Sequence, residues 1–202
     1  MSGWVPAFLL GMASAVVLET GLGLLLFVSP GLLPALTGLL SVALGSYAVG
    51  LASVRDPSGG QGGSRWPWFL AALSLIVAAF LSLGWSFQGT GVPETAWGRG
   101  TQMALLLALP LYGIGACLGT VARRRSGGRV GAAVAAGGAV GVTTLGILLL
   151  PRFEPFSVYL FCVLCVALAA LGLAGSERRR IGDFPLKALG ERDPWSLETL
   201  EP

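Results

Sequence analysis

The sequence predicts an all-α fold, that of a polytopic membrane protein with six transmembrane helices and both termini in the cytoplasm. Of its 202 residues, 54% are apolar and 11% are charged, whereas soluble domains carry about 25% charged residues. The mean hydropathy is +0.77. A spanning helix needs roughly 20 mainly apolar residues to cross a hydrocarbon core of about 30 Å, and six such stretches follow one another along the chain. These observations exclude a water-soluble globular domain.

The first three predicted spans cover residues 5–28, 33–54 and 68–87. We expect the first span to be retained rather than cleaved as a signal peptide, because its apolar stretch is too long, no basic residue precedes it and Glu19 interrupts it. The second span ends where a Gly- and Ser-rich cytoplasmic link, residues 55–67, begins. The third span then starts at Trp68, an aromatic residue suited to the membrane interface.

The last three predicted spans cover residues 101–122, 130–150 and 157–175. The fourth ends at an arginine cluster, the fifth at Pro151 and the sixth at Gly175. Such residues are expected where a chain leaves lipid and its backbone needs other partners. Residues 1–175 are therefore predicted to form one transmembrane domain, and residues 176–202 a cytoplasmic tail.

The basic residues predict the orientation of these spans. Eleven of the thirteen lysines and arginines lie in the link between spans two and three, between spans four and five, or in the tail. Only Arg99 and Arg152 lie in the opposite loops. This asymmetry places both termini in the cytoplasm and the chain in the cell (inner) membrane, with the lipid bilayer as its first partner. Nucleic-acid binding is not expected, because no basic surface with interleaved aromatic residues is present.

Small residues recur at four-residue spacing inside the spans, which is typical of close helix packing in lipid. The glycines that we expect at helix contacts are Gly45, Gly50, Gly115, Gly119, Gly137 and Gly141. Packing within one chain is favoured over dimerisation. The cytoplasmic tail changes from basic to acidic and carries scattered apolar side chains. Its candidate partner-docking residues are Phe184, Leu189, Trp195 and Leu197.

Glu19 is the one acidic residue within the predicted spans. A charge at the bilayer centre costs about 2.5 to 3.5 kcal/mol on insertion scales, so a retained acid is a candidate functional residue. Two roles are open. Glu19 could bind a cation or carry a proton, or it could be a protonated, structural acid bonded to a neighbouring helix, which is the favoured interpretation. Its available hydroxyl partners would be Thr37, Ser41, Thr143 and Thr144.

The residues needed for catalysis or for a metal site are scarce. The chain has no histidine and three cysteines. Cys162 and Cys165 have the spacing of a redox or zinc motif, but they lie mid-span among apolar residues, where a thiolate is disfavoured, and Cys117 alone cannot complete a metal site. We therefore expect buried apolar cysteines, no metal, no cofactor and no enzymatic activity.

Two stretches of the chain resemble a known family. Residues 7–19 and 39–52 look like the opening of the membrane domain in fused transporter-like spermidine synthases, although Leu18 stands where that family has an aromatic residue before Glu19. The segments 128–131, 137–141 and 148–151 are similar to the family's fifth helix and its exit. The resemblance implies a helix bundle like half of a major-facilitator transporter, with Glu19 at the family's acidic position.

The same resemblance bears on activity. In that family, aminopropyl transfer belongs to a soluble domain that follows the membrane helices, and a 27-residue tail is too short to form one. Two hypotheses from different classes remain. The favoured one is a non-catalytic accessory or assembly subunit packed against a larger membrane complex. The alternative is a small half-transporter that works as a homodimer with Glu19 at the midplane.

Overall fold

The computed structural model describes residues 4–28, 32–53, 65–86, 96–123, 127–146 and 154–182. Over these residues the protein is all-helical. Its six α-helices are α1 (Trp4–Val28), α2 (Leu32–Ser53), α3 (Trp66–Ser86), α4 (Ala96–Arg123), α5 (Gly127–Val140) and α6 (Pro155–Gly182). A π-helical turn, Gly141–Gly146, continues α5. At the start of α6 the Glu154 carbonyl accepts the Ser157 amide at 2.9 Å, and Pro155 occupies a first-turn position that suits proline.

Four of these helices are long and apolar enough to cross a membrane. The segments are Trp4–Leu24, Trp66–Leu83, Ala104–Arg123 and Pro155–Gly175. Within the part of α2 whose side chains the structure describes, the uninterrupted apolar stretch is Leu40–Ser53. The α-helical part of α5 has 14 residues before the backbone changes to the π form. The predicted all-α fold is thus confirmed, and four of its helices have spanning length and composition among the described residues.

Two helices extend at least five residues beyond the predicted spans. Helix α4 begins at Ala96 rather than residue 101, and α6 continues to Gly182 rather than ending at residue 175. The first seven residues of the predicted tail are therefore the end of a helix. The added residues include Arg99, Glu177 and Arg178, and Glu and Arg favour helix even outside lipid. The docking residues predicted in the tail, and the link up to residue 64, lie outside the described residues.

The helices pack around α1 and α4, which contact each other. Helix α5 packs on α1, and α2 packs on α4. Helices α3 and α6 contact each other, while α3 also packs on α4 and α6 on α1. If α1 is exchanged with α4, α2 with α5 and α3 with α6, the same set of helix contacts results. The bundle therefore consists of two equivalent three-helix halves, α1–α3 and α4–α6.

The equivalence of the halves extends to single atoms at the glycine contacts. A Cβ at Gly137 would meet the carbonyl oxygen of Phe8 and, at 3.1 Å, the amide nitrogen of Met12. A Cβ at Gly50 would meet the carbonyl oxygen of Tyr112 and, at 3.1 Å, the amide nitrogen of Ala116. Tyr112 and Ala116 follow Phe8 and Met12 by 104 residues, and Gly137 follows Gly50 by 87.

A second pair of contacts is related by the same two sequence offsets, 104 residues between α1 and α4 and 87 residues between α2 and α5. Gly11 of α1 lies against the carbonyl of Val134 in α5, and Gly115 of α4 lies against the carbonyl of Tyr47 in α2. The sequences around Gly11 and Gly115 retain a trace of the repeat, because residues 6–11 and 110–115 both have proline first, an aromatic third and glycine last. At each site only glycine allows the backbones to approach so closely.

Contacts along α1 also give the directions of two neighbours. Phe8 and Ala15 lie against Gly137 and Gly141 respectively, so α5 runs in the same direction as α1. Cys162 lies against Ala13, whereas Gly172, ten residues later, lies near Pro6. Helix α6 therefore runs opposite to α1.

Candidate functional site

Glu19 lies on the face of α1 that contacts α5. Phe8, Met12 and Ala15 contact Gly137 or Gly141, and Glu19 is the next residue of this row at helical spacing. Because α5 runs along α1, helical spacing predicts that the backbone one turn beyond Gly141 is the part of α5 nearest to Glu19. That backbone belongs to the π turn Gly141–Gly146, which packs against α1.

The π turn has an identifiable local cause. Glycine, valine and threonine, which have low helix propensity, make up five of its six residues. Its first residue, Gly141, brings the two backbones together, since a Cβ there would lie 2.9 Å from the Met12 carbonyl oxygen and 3.2 Å from the Ala15 Cβ. The Thr143 hydroxyl donates a hydrogen bond to the Ala139 carbonyl just before the turn, and both residues are exposed, on the side of α5 away from Gly137 and Gly141. Single π turns inside α-helices occur frequently at functional sites.

The carboxylate of Glu19 has one oxygen, Oε2, that is buried and accepts no hydrogen bond within the described part of the chain. The side chain as a whole is half-buried. A buried, unsatisfied polar atom is costly and calls for a proton, an ion or an unseen partner. The site therefore has one acidic group whose charge is not balanced by any described contact.

Two of the hydroxyls considered as partners of Glu19 are used elsewhere. Ser41 donates to the Thr37 carbonyl at 2.8 Å, and Thr143 donates to Ala139. The side chain of Thr144 lies outside the described residues. Neither hydroxyl is bonded to Oε2 of Glu19, which has no hydrogen-bond partner within the described residues. The role of Glu19 as a protonated structural acid stays a prediction.

A second polar group lies where α1, α4 and α6 meet, and the sequence analysis missed it. The Oε1 atom of Gln102 is buried without a hydrogen bond in the described chain. One turn later the Leu106 carbonyl accepts the Tyr159 hydroxyl of α6 at 3.4 Å, and Leu107 lies against Gly21. The available sequence clue was Pro110, because a proline inside a helix leaves the carbonyl four residues earlier without its usual donor.

All three cysteines are free and buried. The Cys162 thiol lies 3.8 Å from the Ala13 carbonyl oxygen, so it contributes to the contact between α6 and α1. Within the described ranges no three His, Cys, Asp or Glu side chains are grouped so that they could hold a metal ion.

The glycines predicted at helix contacts take three different positions. Gly50, Gly115, Gly137 and Gly141 each face the backbone of a neighbouring helix. Gly119 is buried in α4. Gly45 is different, since it is exposed and none of the described atoms comes within 4 Å of its Cβ position. Gly45 takes no part in packing among the described helices, because it lies on the side of α2 away from α4.

No family model, curated protein or solved structure matches the chain. The class of protein that the fold and the site define is a helical protein with several apolar helices of membrane-spanning length, compatible with a membrane protein.

Proposed function

We propose that the chain is a six-span protein of the cell (inner) membrane with both termini in the cytoplasm, and that it acts without catalysis as an accessory or assembly subunit of a larger membrane complex. The described basic residues support this orientation. Arg65 precedes α3, Arg123 ends α4 and Arg129 lies in the first turn of α5, so alternating helices would bring all three to one side of the membrane.

The observation that carries the proposal is a contrast between exposed helix faces. Helices α3 and α6 expose bulky apolar residues, as expected against lipid tails. These are Phe69, Leu73, Val77 and Phe80 in α3, and Leu160, Leu164, Leu168 and Leu171 in α6. Helices α2 and α5 also expose bulky residues, among them Leu44, Val49 and Val140, but each of them has in addition an exposed row of small residues. We call Ser41, Gly45, Ala48 and Ala52 the α2 small face, and Gly128, Ala132, Ala135 and Ala139 the α5 small face.

The two small faces correspond to each other within the repeat. The shift of 87 residues that relates Gly50 to Gly137 also maps each member of the α2 small face onto a member of the α5 small face. Exposed Leu44 and Val49 flank the α2 small face and give it the shape of a shallow groove. Lipid tails gain little from such a groove, whereas another transmembrane helix can pack closely in it. Association with other membrane helices is therefore what these faces favour.

Filling the small faces tests the proposal. A Gly45→Leu, Ala132→Leu double variant should insert normally but lose the membrane proteins that co-purify with the tagged wild-type chain in mild detergent. Ala167→Leu is the matched control, since Ala167 is exposed among the leucines of α6. An undiminished yield of partners with the double variant would refute the proposal. Truncation after Gly182 in the same assay tests the predicted docking role of the tail.

The half-transporter homodimer remains a second candidate because one observation favours it. Transporters are commonly built from internal repeats, and a repeat of three spans inserts its two copies in opposite orientations. The similarity to the membrane domain of transporter-like spermidine synthases is part of this candidate. Chemical cross-linking in native membranes separates the two candidates: cross-links only between copies of this chain favour the homodimer, and cross-links to other proteins favour the accessory subunit.

A further inference from the structure

We propose that the end of the bundle at which α1 begins binds the headgroups of anionic phospholipids. We call the three exposed arginines there, Arg65, Arg123 and Arg129, the arginine end. The inference rests on the membrane location proposed above, but it holds whether or not the chain is an accessory subunit.

The first argument is the placement of α5 and α6 along α1. Arg129 precedes Gly137, which lies against Phe8, by eight residues, and α5 runs in the same direction as α1. At a rise of about 1.5 Å per residue, Arg129 lies about 12 Å from Phe8 along the bundle axis, at the end where α1 begins. Helix α6 runs opposite to α1, so its last turns reach the same end and bring the arginines at 178–180 there.

Helices α3 and α4 bring the other two arginines to this end. The ring of Phe80 in α3 meets the ring of Phe156 at the start of α6 edge-on, with 6.0 Å between the ring centroids. Arg65, 15 residues before Phe80, therefore lies at the opposite end, where α6 ends and α1 begins. Helix α3 packs on α4 as α6 packs on α1. By the equivalence of the halves α3 and α4 are antiparallel, and Arg123 at the end of α4 lies at the end of the bundle where α3 starts.

The second argument is charge. The two acidic side chains that the structure describes lie toward the other end, since Glu19 is in the second half of α1 and Glu154 precedes α6. Neither Arg65 nor Arg129 forms an ion pair with a described residue. In the last turns of α6 the arginines at 178–180 outnumber Glu177. The arginine end therefore carries an excess of positive charge, which attracts anions.

The third argument identifies the anion as a lipid headgroup. Trp66 directly follows Arg65, is 64% exposed and pairs with the exposed ring of Phe69 at 5.9 Å. Trp4, at the start of α1, is 55% exposed at the same end. Exposed tryptophans at the ends of apolar helices are typical of the headgroup level of a bilayer. Phosphate is also the group that a guanidinium binds through paired hydrogen bonds. A free phosphate ion would satisfy the arginines but would leave the exposed rings uncovered.

The orientation proposed above gives this surface its lipid. It places the arginine end at the cytoplasmic leaflet, where anionic lipids attract basic segments next to membrane helices. The attraction weakens as salt screens the charges. We therefore expect the arginine end to select anionic over zwitterionic phospholipids, in a manner that depends on ionic strength.

The test uses the full chain in a mild non-ionic detergent. Phosphatidylglycerol or phosphatidylethanolamine is added, and native mass spectrometry measures the lipid that stays bound. Phosphatidylglycerol should bind more tightly, and its advantage should shrink as the concentration of ammonium acetate rises. Equal binding of the two lipids would overturn the proposal. Displacement of phosphatidylglycerol by an equal concentration of inorganic phosphate would also overturn it, because the arginines would then bind the ion rather than the lipid.

Variants assign the binding to this end. Arg65→Gln and Arg129→Gln should each weaken the binding of phosphatidylglycerol about fivefold, the effect of one arginine near an anionic surface. Arg99→Gln is the matched control, because it removes the same charge from the start of α4, at the opposite end, and it should leave the binding unchanged. An equal loss in Arg99→Gln and Arg65→Gln would overturn the proposal, since the attraction would then come from the net charge of the chain.

A second readout uses the wild-type chain alone. In lipid nanodiscs, phosphatidylglycerol with a photoreactive headgroup should cross-link to peptides from the first turns of α3 and α5. Cross-links mainly to the start of α4 would overturn the proposal. Neither readout depends on co-purifying proteins, so failure here is distinguishable from failure of the proposed function.

Discussion

The hydrogen bond from Tyr159 to the Leu106 carbonyl gives a quantitative prediction. Pro110 has no amide hydrogen, so it cannot donate to the carbonyl of Leu106 four residues earlier. The Tyr159 hydroxyl, in a side chain that is 1% exposed, donates to that carbonyl at 3.4 Å. We therefore expect the hydroxyl to compensate for the proline, and its removal in Tyr159→Phe to leave a buried carbonyl without a donor.

The expected cost follows from the geometry. Hydrogen bonds between membrane helices contribute on average about 0.6 kcal/mol and at most about 1.7 kcal/mol. A donor–acceptor distance of 3.4 Å is long for a hydroxyl, so Tyr159→Phe should reduce the free energy of unfolding by an amount in the lower half of this range. Reversible unfolding of the full chain in mixed micelles, with increasing sodium dodecyl sulfate, measures the change.

A double-mutant cycle isolates the proposed compensation. Pro110→Ala restores an amide donor to the Leu106 carbonyl, so Tyr159→Phe should cost close to nothing in that background. Tyr112→Phe is a matched control, because the Tyr112 hydroxyl makes no described hydrogen bond and its loss should be neutral in both backgrounds. The reasoning is refuted if Tyr159→Phe costs the same with proline and with alanine at position 110.

Three further predictions concern packing, orientation and thiols. Gly137→Ala should lower the free energy of unfolding by about 1 to 3 kcal/mol, because its Cβ would overlap the Phe8 carbonyl, whereas Gly131→Ala, at an exposed position in open space, should not destabilise the protein. Reporter fusions at Gly60 should report a cytoplasmic location and those at Gly91 an external one, and a cytoplasmic signal at Gly91 would contradict the topology. Because the three cysteines are buried, a maleimide should modify them only after unfolding, and labelling of the folded chain would contradict their packing.

Hydropathy predicted all six helices, since each apolar stretch in lipid has to satisfy its backbone within a helix. It placed the ends of α4 and α6 less well. The helical residues 96–100 and 176–182 lie beyond the apolar stretches, and local propensity rather than hydropathy extends a helix there. Glu19 was identifiable from the sequence because an acid inside a span is costly.

The neighbours of Glu19 were not identifiable in the same way. The π turn depends on the close approach of Gly141 to α1, a contact between residues far apart in the sequence. The hydrogen bond of Tyr159 and the burial of Gln102 likewise depend on neighbouring helices, which the sequence does not show. The sequence alone does not reveal the internal repeat, because at residues 6–11 and 110–115 the two halves share only the proline, the aromatic position and the final glycine. The backbone contacts that define the repeat join residues far apart in the chain.

The packing of helices of one half on helices of the other half has a consequence for biosynthesis. Helix α1 packs on α5 and α2 packs on α4, so neither half contains the partners of its own glycines. When only the first three helices have been synthesised, Gly11 and Gly50 still lack the backbones that will cover them. These glycine contacts can form only after α4 and α5 have been synthesised as well. We expect a chain that stops before α4 to leave the backbone at Gly11 and Gly50 uncovered, and therefore not to reach the packed state of the full chain.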